Sequence, residues 1–457
     1  MNIEAIVADQ DKLFRTGATR SLAFRRKQLQ RLKEAIRKNE SAMFEALQQD
    51  LGKSAYESYL SEIGFVLDEI RFTLPRLSGW MKPRRVRTPL LGFPGTSRRV
   101  PEPYGRVLII APWNYPILLA LSPLIGAIAA GNCCVLKPPE LAPGTSAILA
   151  KIVIETFAPE YITVVEGGPE ASIALLDTRF DKIFFTGSTN IGRKVMASAA
   201  RHLTPVTLEL GGKSPCIVAG DADLVLASRR IVWGKFLNTG QTCMAPDFLL
   251  VHNSIKAPLL ANILSDIRSF FGEAPRLSPD YGRIISQAHF DRLAGLIDAC
   301  KGTLVTGGDR EQETRYIAPT VLDDVDWDDP IMEGEIFGPL LPVITYDSIA
   351  SVKEKISRRP KPLAFYLFTK DRKLEHQLVT NLSFGGACIN DTLLHMATPY
   401  LPFGGVGDSG TEYHGKASFD TFSHTKSVMK RYFFPEPPVR YPPYQKRSWR
   451  LLRWLLR

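Results

Sequence analysis

Val107-Leu108-Ile109-Ile110-Ala111-Pro112-Trp113-Asn114-Tyr115-Pro116 opens the longest uncharged run of the chain, which continues to Gly131 and is followed by Cys134-Val135-Leu136-Lys137-Pro138. A run of this length could span a bilayer. Pro112, Asn114, Pro116 and Pro123 interrupt it, however, and a spanning helix tolerates such breaks only where neighbours satisfy the freed backbone groups. The other reading is a buried strand at 107–110, a loop, a helix over 121–130 and a second short strand. Strand, helix and strand with apolar strands form a βαβ unit, and this implies a parallel sheet covered by helices.

The unit repeats downstream. Residues 162–165 are strand-like, 170–177 are helical, and the strand at 182–185 runs into Thr186-Gly187-Ser188-Thr189-Asn190-Ile191-Gly192. A glycine-punctuated turn between strand and helix lets backbone N–H groups and a helix N-terminus approach an anion such as pyrophosphate. It is not the usual G-x-G-x-x-G, and such turns are common, so alone it is a weak signal. After residue 247 a second α/β region follows, with strands at 248–252 and 316–321 and helices at 256–271 and 290–299. The glycine-rich stretch 402–410 reads as a loop packed closely against something.

Residues 11–81 carry helical periodicity, with Leu22, Leu29, Leu32 and Ile36 among basic and polar residues, Ser41 opening a second helix and a third through Ile63, Leu67, Ile70 and Leu74. Arg25, Arg26, Lys27 and Arg31 lie together, but on one helix they read as a solvated face rather than a nucleic-acid patch. Residues 82–103, rich in Arg, Pro and Gly, form a connection or exposed arm. The composition, 457 residues with 45% hydrophobic and 23% charged, is that of a multidomain globular chain. Six scattered cysteines suggest neither a disulfide framework nor a zinc site, and a reducing compartment fits. Residues 1–6 lack the basic start and apolar core of a secretory signal, so a cytoplasmic location is expected. Half of the net charge of +10 sits in residues 436–457, with six basic residues and one acidic. There, 435–443 is proline-rich and extended. In 445–457, Lys446, Arg450, Arg453 and Arg457 share one helical face, and Trp449, Leu452 and Leu456 the other. Such a helix suits a membrane surface; docking on the protein's own body or on a partner subunit is the equal alternative.

Chemistry points to residues 206–247. Val206-Thr207-Leu208-Glu209-Leu210-Gly211-Gly212 sets one glutamate in an apolar strand, and Gly240-Gln241-Thr242-Cys243-Met244-Ala245-Pro246-Asp247 sets a cysteine among small and polar residues. A thiolate adds to an electrophilic carbon, and a nearby carboxylate can take a proton from the thiol or from an attacking water. Taken singly, Cys243 could be a small buried hydrophobe, and Glu209 the solvent-facing member of an alternating strand.

These two motifs, with Pro112-Trp113-Asn114-Tyr115-Pro116, Glu335-Ile336-Phe337-Gly338-Pro339 and Pro402-Phe403-Gly404-Gly405, resemble the aldehyde dehydrogenase superfamily over residues 11–443. The wording of 203–209, Trp233-Gly234-Lys235-Phe236 and Tyr413-His414-Gly415-Lys416 is similar to its class 3 branch of fatty, aromatic and coniferyl aldehyde dehydrogenases. The resemblance implies a Rossmann-like NAD-binding domain (1–90 and 106–209), an α/β catalytic domain (210–422), bridging strands for oligomerisation (91–105 and 423–435) and the tail (436–457). It implies that Cys243 is the nucleophile, Glu209 the general base and Asn114 an oxyanion donor beside the Cys243 backbone N–H. It further implies that Trp113, Lys137, Glu140, Gly187, Ser188, Gly192, Glu335 and Phe337 contact NAD, with NADP also accommodated.

Without the resemblance, Asn114 would be a turn residue, Lys137 and Glu140 a surface ion pair, Glu335 a polar loop residue and Phe337 core. Against the family it resembles, the chain departs at Gly334, where an acidic residue is common in the class 3 branch and glycine would loosen the loop, and at Asn190, where glycine is more usual, which unsettles the turn. The implied function is NAD(P)+-dependent oxidation of aldehydes to carboxylic acids, on medium- or long-chain, terpenoid or aromatic substrates, by a homodimer with no nucleic-acid partner. The rival readings are a non-catalytic dinucleotide-binding or membrane-peripheral protein of the same fold, and a cysteine acyltransferase or hydrolase, for which no histidine signature is present.

Overall fold

A computed structural model describes residues 2–435, 440–444 and 446–455. Residues 436–439 of the proline-rich stretch, and Gln445, Leu456 and Arg457 of the tail, lie outside the described residues.

Five parallel strands form the first sheet: β1 (Arg106–Ile110), β2 (Cys133–Lys137), β3 (Ile162–Val164), β4 (Lys182–Thr186) and β5 (Val206–Glu209), in the order β3-β2-β1-β4-β5. This is the doubly wound order, whose direction reverses between β1 and β4, and ligands bind outside the carboxyl ends of the strands at that reversal. The second sheet holds β6 (Pro215–Val218), β7 (Phe248–His252), β8 (Thr303–Thr306), β9 (Thr320–Asp323), β10 (Leu340–Tyr346), β11 (Ala364–Phe368) and β12 (Gly386–Ile389), in the order β8-β9-β10-β7-β6-β11-β12. It is parallel except for β8. Strands buried on both faces explain the continuous apolar runs in the sequence.

Several expected elements need correction. The helix expected over 121–130 begins at Pro116, with Pro123 inside it, and all fifteen of its residues are buried. Proline suits a first helical position, where its missing N–H would be unpaired anyway, and the Glu62 carboxylate accepts from the next two backbone N–H groups, Ile117 at 2.8 Å and Leu118 at 3.2 Å. Arg25 does not belong to a solvated face: its guanidinium is buried and donates to the carbonyls of Thr19 and Ala129, the latter at the C-terminus of that helix. The strand expected over 316–321 divides. Tyr316–Ile317 pairs with Arg310–Glu311, and only Thr320–Asp323 enters the large sheet, because Pro319 between them has no N–H to donate.

Residues 95–103 and 423–431 pair antiparallel over nine positions, from Ser423 opposite Pro103 to Arg431 opposite Gly95. Arg84–Val86 adds a third strand, which the two-strand expectation lacked. Just before residues 423–431, the helix Lys416–Thr421 packs against the helix Pro116–Ala130: a Cβ on Gly126 would meet Ser418 and Phe422. No helix among the described residues is long and apolar enough to cross a membrane. The tail forms the helix Lys446–Leu455, with Trp449, Arg450, Arg453 and Trp454 exposed.

Candidate active site

Two loops meet between the sheets. One follows β1 and carries Trp113, Asn114 and Tyr115; the other joins the helix Leu224–Phe236 to β7 and carries Cys243. They are tied together: the Asn114 side-chain amide donates to the Gln241 carbonyl at 3.0 Å, and the hydroxyls of Tyr115 and Thr242 lie 2.6 Å apart. Asn114 is buried rather than sitting on an exposed turn. The bond to Gln241 holds its amide to the loop two residues before Cys243. The backbone N–H groups of Cys243 and Met244 face the sulfur and favour its thiolate. Burial, and then the carboxyls of Glu335 and Glu209, push the thiol up.

Cys243 lines a cavity of about 130 Å³ with Leu60, Phe65, Leu118, Leu119, Trp233, Leu237, Met244, Leu393, Met396 and Phe403. Ser61, Tyr115 and Thr242 supply its few polar atoms. These residues come from four distant segments with no common period, so nothing in the sequence marks them as one surface.

Glu209 ends β5. It is 3% exposed and not solvent-facing, and neither carboxyl oxygen has a hydrogen-bond partner. Burial, helped by Glu412, holds its pKa well above the carboxylate range. Its backbone is fixed, however. Its carbonyl accepts from Gly187 N–H at 3.0 Å, while Leu210 and Leu208 bond to Ser409 and Thr411 of the glycine-rich loop. A Cβ on Gly410 would stand 2.0 Å from the Leu208 carbonyl oxygen, so this is the surface against which the loop packs.

The remaining expected residues gather at the reversal of the first sheet. Trp113 follows β1 and Gly187 follows β4. Ser188 caps the helix Thr189–Ala200 by accepting from the Ile191 N–H. A Cβ on Gly192 would meet Leu210 at 2.7 Å; its absence lets that helix sit on β5. Asn190 occupies a regular helical position and disturbs nothing. Lys137, at the end of β2, is buried and pairs with the half-exposed Glu140, unlike a surface ion pair. Glu335 has a buried, unpartnered carboxyl oxygen and is pushed up to about 8, first by burial and then by Asp247. The Phe337 ring stands edge-on to Trp113 at 5.3 Å, on a residue with φ of 50°. A helix N-terminus at the reversal point, a buried lysine beside a carboxylate at a strand end and a free carboxyl oxygen in the cleft fit the pyrophosphate and two riboses of a dinucleotide.

Sequence reasoning missed the supports. Lys213 donates to Asp247 and to the carbonyls of Ile331 and Gly334, and Asp247 accepts from Ile336 N–H. The loop bearing Glu335 is therefore held at Gly334 itself, where looseness was expected. Lys53, Glu57 and Glu62, from helices read as scaffold, are buried against the Asn114 and Cys243 loops. Their signal was three charged residues within ten positions of otherwise helical sequence, which periodicity alone assigns to solvent.

The aldehyde dehydrogenase family model matches residues 1–428. The chain is 48% identical to the 4,4'-diaponeurosporen-aldehyde dehydrogenase of Staphylococcus aureus over 97% of both chains. It is 47% identical to rat aldehyde dehydrogenase family 3 member B1, over 96% of this chain and 94% of that one. A solved structure described as the substrate-bound state of Staphylococcus aureus AldH superposes with a TM-score of 0.97 at 46% identity, covering 100% of each chain. This chain belongs to the aldehyde dehydrogenase family, among its class 3 members, and is an NAD(P)+-dependent oxidoreductase of aldehydes.

Proposed function

We propose that the chain oxidises extended apolar aldehydes, medium- or long-chain or terpenoid, with Cys243 as nucleophile, Asn114 as oxyanion donor and Glu209 as general base. The observation that carries this reading is the apolar cavity with Cys243 in its wall, on a loop to which the Asn114 amide is tied through the Gln241 carbonyl. The Cys243 sulfur adds to the aldehyde carbon, and the alkoxide that forms is met by the Asn114 amide and the Cys243 backbone N–H, donors fixed before the reaction begins. Bound NAD(P)+ supplies the hydride acceptor. The acyl group left on Cys243 is a thioester, and Glu209 takes a proton from the water that hydrolyses it to the acid. Burial raises the basicity of an ionised Glu209 and brings its pKa nearer to that of the groups it must deprotonate.

Trp113, Gly187 and Ser188 would hold the adenosine and pyrophosphate, Lys137 and Glu140 the adenosine ribose, Glu335 and Phe337 the nicotinamide ribose and ring, with Gly192 keeping the helix close. A carboxylate at the adenosine ribose favours a free 2′-hydroxyl, hence NAD, and Lys137 leaves room for NADP. The polyene aldehyde named for the Staphylococcus aureus relative makes a substrate of that kind reasonable here. The three-stranded sheet, largely exposed, would pair across a homodimer, because an isolated ribbon gains stability from a partner. The two sheets and this ribbon support the domain limits expected from the sequence. The tail helix would bring a cytoplasmic enzyme to a membrane surface.

The test is kcat/KM over aldehydes of increasing chain length, one aromatic and one polyene aldehyde, each with NAD+ and with NADP+. A steep rise with length supports the apolar tunnel. A flat profile removes the lipid-aldehyde reading, and no turnover with any pair would favour the non-catalytic one. Truncation after residue 435 should abolish vesicle binding and leave turnover of short aldehydes intact.

A further inference from the structure

The helix Ala55–Ser58 runs into Gly64–Trp80 through one π turn, Tyr59–Ile63. Such a turn inserts a residue and reorients the side chains on either side, and it is frequent at functional sites. Two buried carboxylates lie at it, Glu62 within the turn and Glu57 just before it. Glu62 pairs with Lys53 at 2.6 Å, both fully buried, and Lys53 also donates to the Asn114 carbonyl at 3.0 Å. Glu57, nearly buried, accepts the Asn238 backbone N–H at 2.8 Å.

Asn238 is where the cysteine loop leaves its helix. Asn238 and Thr239 take φ of 52° and 55°, and Gly240 follows at 72°. Left-handed residues without glycine persist only where the surroundings impose them. The Asn238 side chain donates to the carbonyls of Asn114 and Gln241, and Gln241 is the residue to which the Asn114 amide donates. The bond from Glu57 therefore stands at the origin of the turn whose Gln241 carbonyl receives the Asn114 amide, two residues before Cys243.

We propose that Glu57 is a positioning residue of the reaction, holding the left-handed turn at Asn238 and Thr239 so that the Asn114 amide and the Cys243 N–H converge on one point. The proposal rests on the roles given above to Cys243 and Asn114. The experiment compares full-length Glu57→Ala and Glu57→Gln by kcat, by KM for aldehyde, and by the rate of iodoacetamide labelling at Cys243, followed by peptide mass mapping, with melting curves to establish folding. Glu57→Ala should lower kcat about 10-fold or more with KM changed less than about 3-fold, since misplacing an oxyanion donor acts on the transition state, and should slow Cys243 labelling by a similar factor, because the same loop carries the Cys243 and Met244 backbone N–H groups that favour the reactive thiolate. Glu57→Gln keeps an acceptor oxygen in place and should restore both to within about 3-fold.

A folded Glu57→Ala with unchanged kcat and labelling overturns the proposal, as does a Gln variant as impaired as Ala. Should Ala not fold, Glu57→Asp decides, because it withdraws the acceptor by one methylene: about 10-fold losses support the proposal and unchanged values overturn it. Cys243→Ser separates the two readings. If it keeps turnover, the assignment of the nucleophile fails, whereas if it abolishes turnover while Glu57→Ala moves neither readout, only the positioning role fails.

Discussion

The two halves of the site are built in opposite ways. On the cysteine side the groups that join the two loops are themselves held, Asn114 by Gln241, Lys53 and Asn238, Asn238 by Glu57, and Tyr115 by Thr242, and only the Asn238 and Thr239 side-chain oxygens of the turn stay buried without a partner. On the carboxylate side Glu209 has two unpartnered oxygens and Glu335 has one, all buried. Unpaired buried carboxyls are destabilising, and they persist where a function needs them. With the roles proposed above, the contrast separates donors that must stand still while charge develops from groups that must exchange a proton or accept a ligand.

Removing the reacting atom is the harshest way to break this picture. Cys243→Ser should lower aldehyde-dependent NADH formation by at least about 10⁴-fold, because loss of a covalent nucleophile removes the pathway itself, while Tm stays near that of the parent. Glu209→Gln should then cost about 10³-fold in steady-state turnover, within the range for general-base catalysis. If its role is on the water, rapid-quench analysis will find acyl enzyme on Cys243 in this variant; absence of acyl enzyme would move Glu209 to the thiol step. Asn114→Ala, on the braced side, should lower kcat about 10²-fold as the loss of one oxyanion donor. A loss expressed only in KM would instead make Asn114 a substrate-binding group.

Much of this was legible in the sequence, and the rest was hidden for definite reasons. The βαβ unit at 107–138 showed itself because its strands are buried on both faces and read as apolar runs. Proline misled at two places: Pro116 opens a helix instead of breaking one, and Pro319 ends a strand that composition would have continued. Cys243, Glu209 and Asn114 were named through family motifs, whereas the tie between the Asn114 and Cys243 loops, which come from different sheets, left no sign in the sequence. Glu57 and Glu62 were invisible, since helical periodicity assigns charged residues to solvent, and the change of period over the five residues 59–63 leaves no mark in the pattern.

The smallest expected effect tests the carboxylate half directly. Glu335 is raised to about 8, Glu57 to about 7 and Glu69 to about 8, and Glu209 well above the usual range, each chiefly by burial. A carboxyl whose folded pKa lies above its unfolded value of 4.5 holds its proton better when folded. Its contribution is complete below pH 4.5 and is lost as pH rises through the folded pKa, because the unfolded chain ionises first. Apparent Tm should therefore fall between pH 5 and pH 8 and level off as Glu335 itself ionises. Glu335→Gln removes one titrating group and should make that slope shallower, a difference on the order of 1–2 °C in a chain of this size. An unchanged slope would mean that Lys213 and Arg292, whose charges oppose the shift, keep Glu335 ionised in the folded state. The carboxylate would then be paired in the same sense as Glu57 and Glu62, and the division between a braced half and an open half would reduce to Glu209 alone.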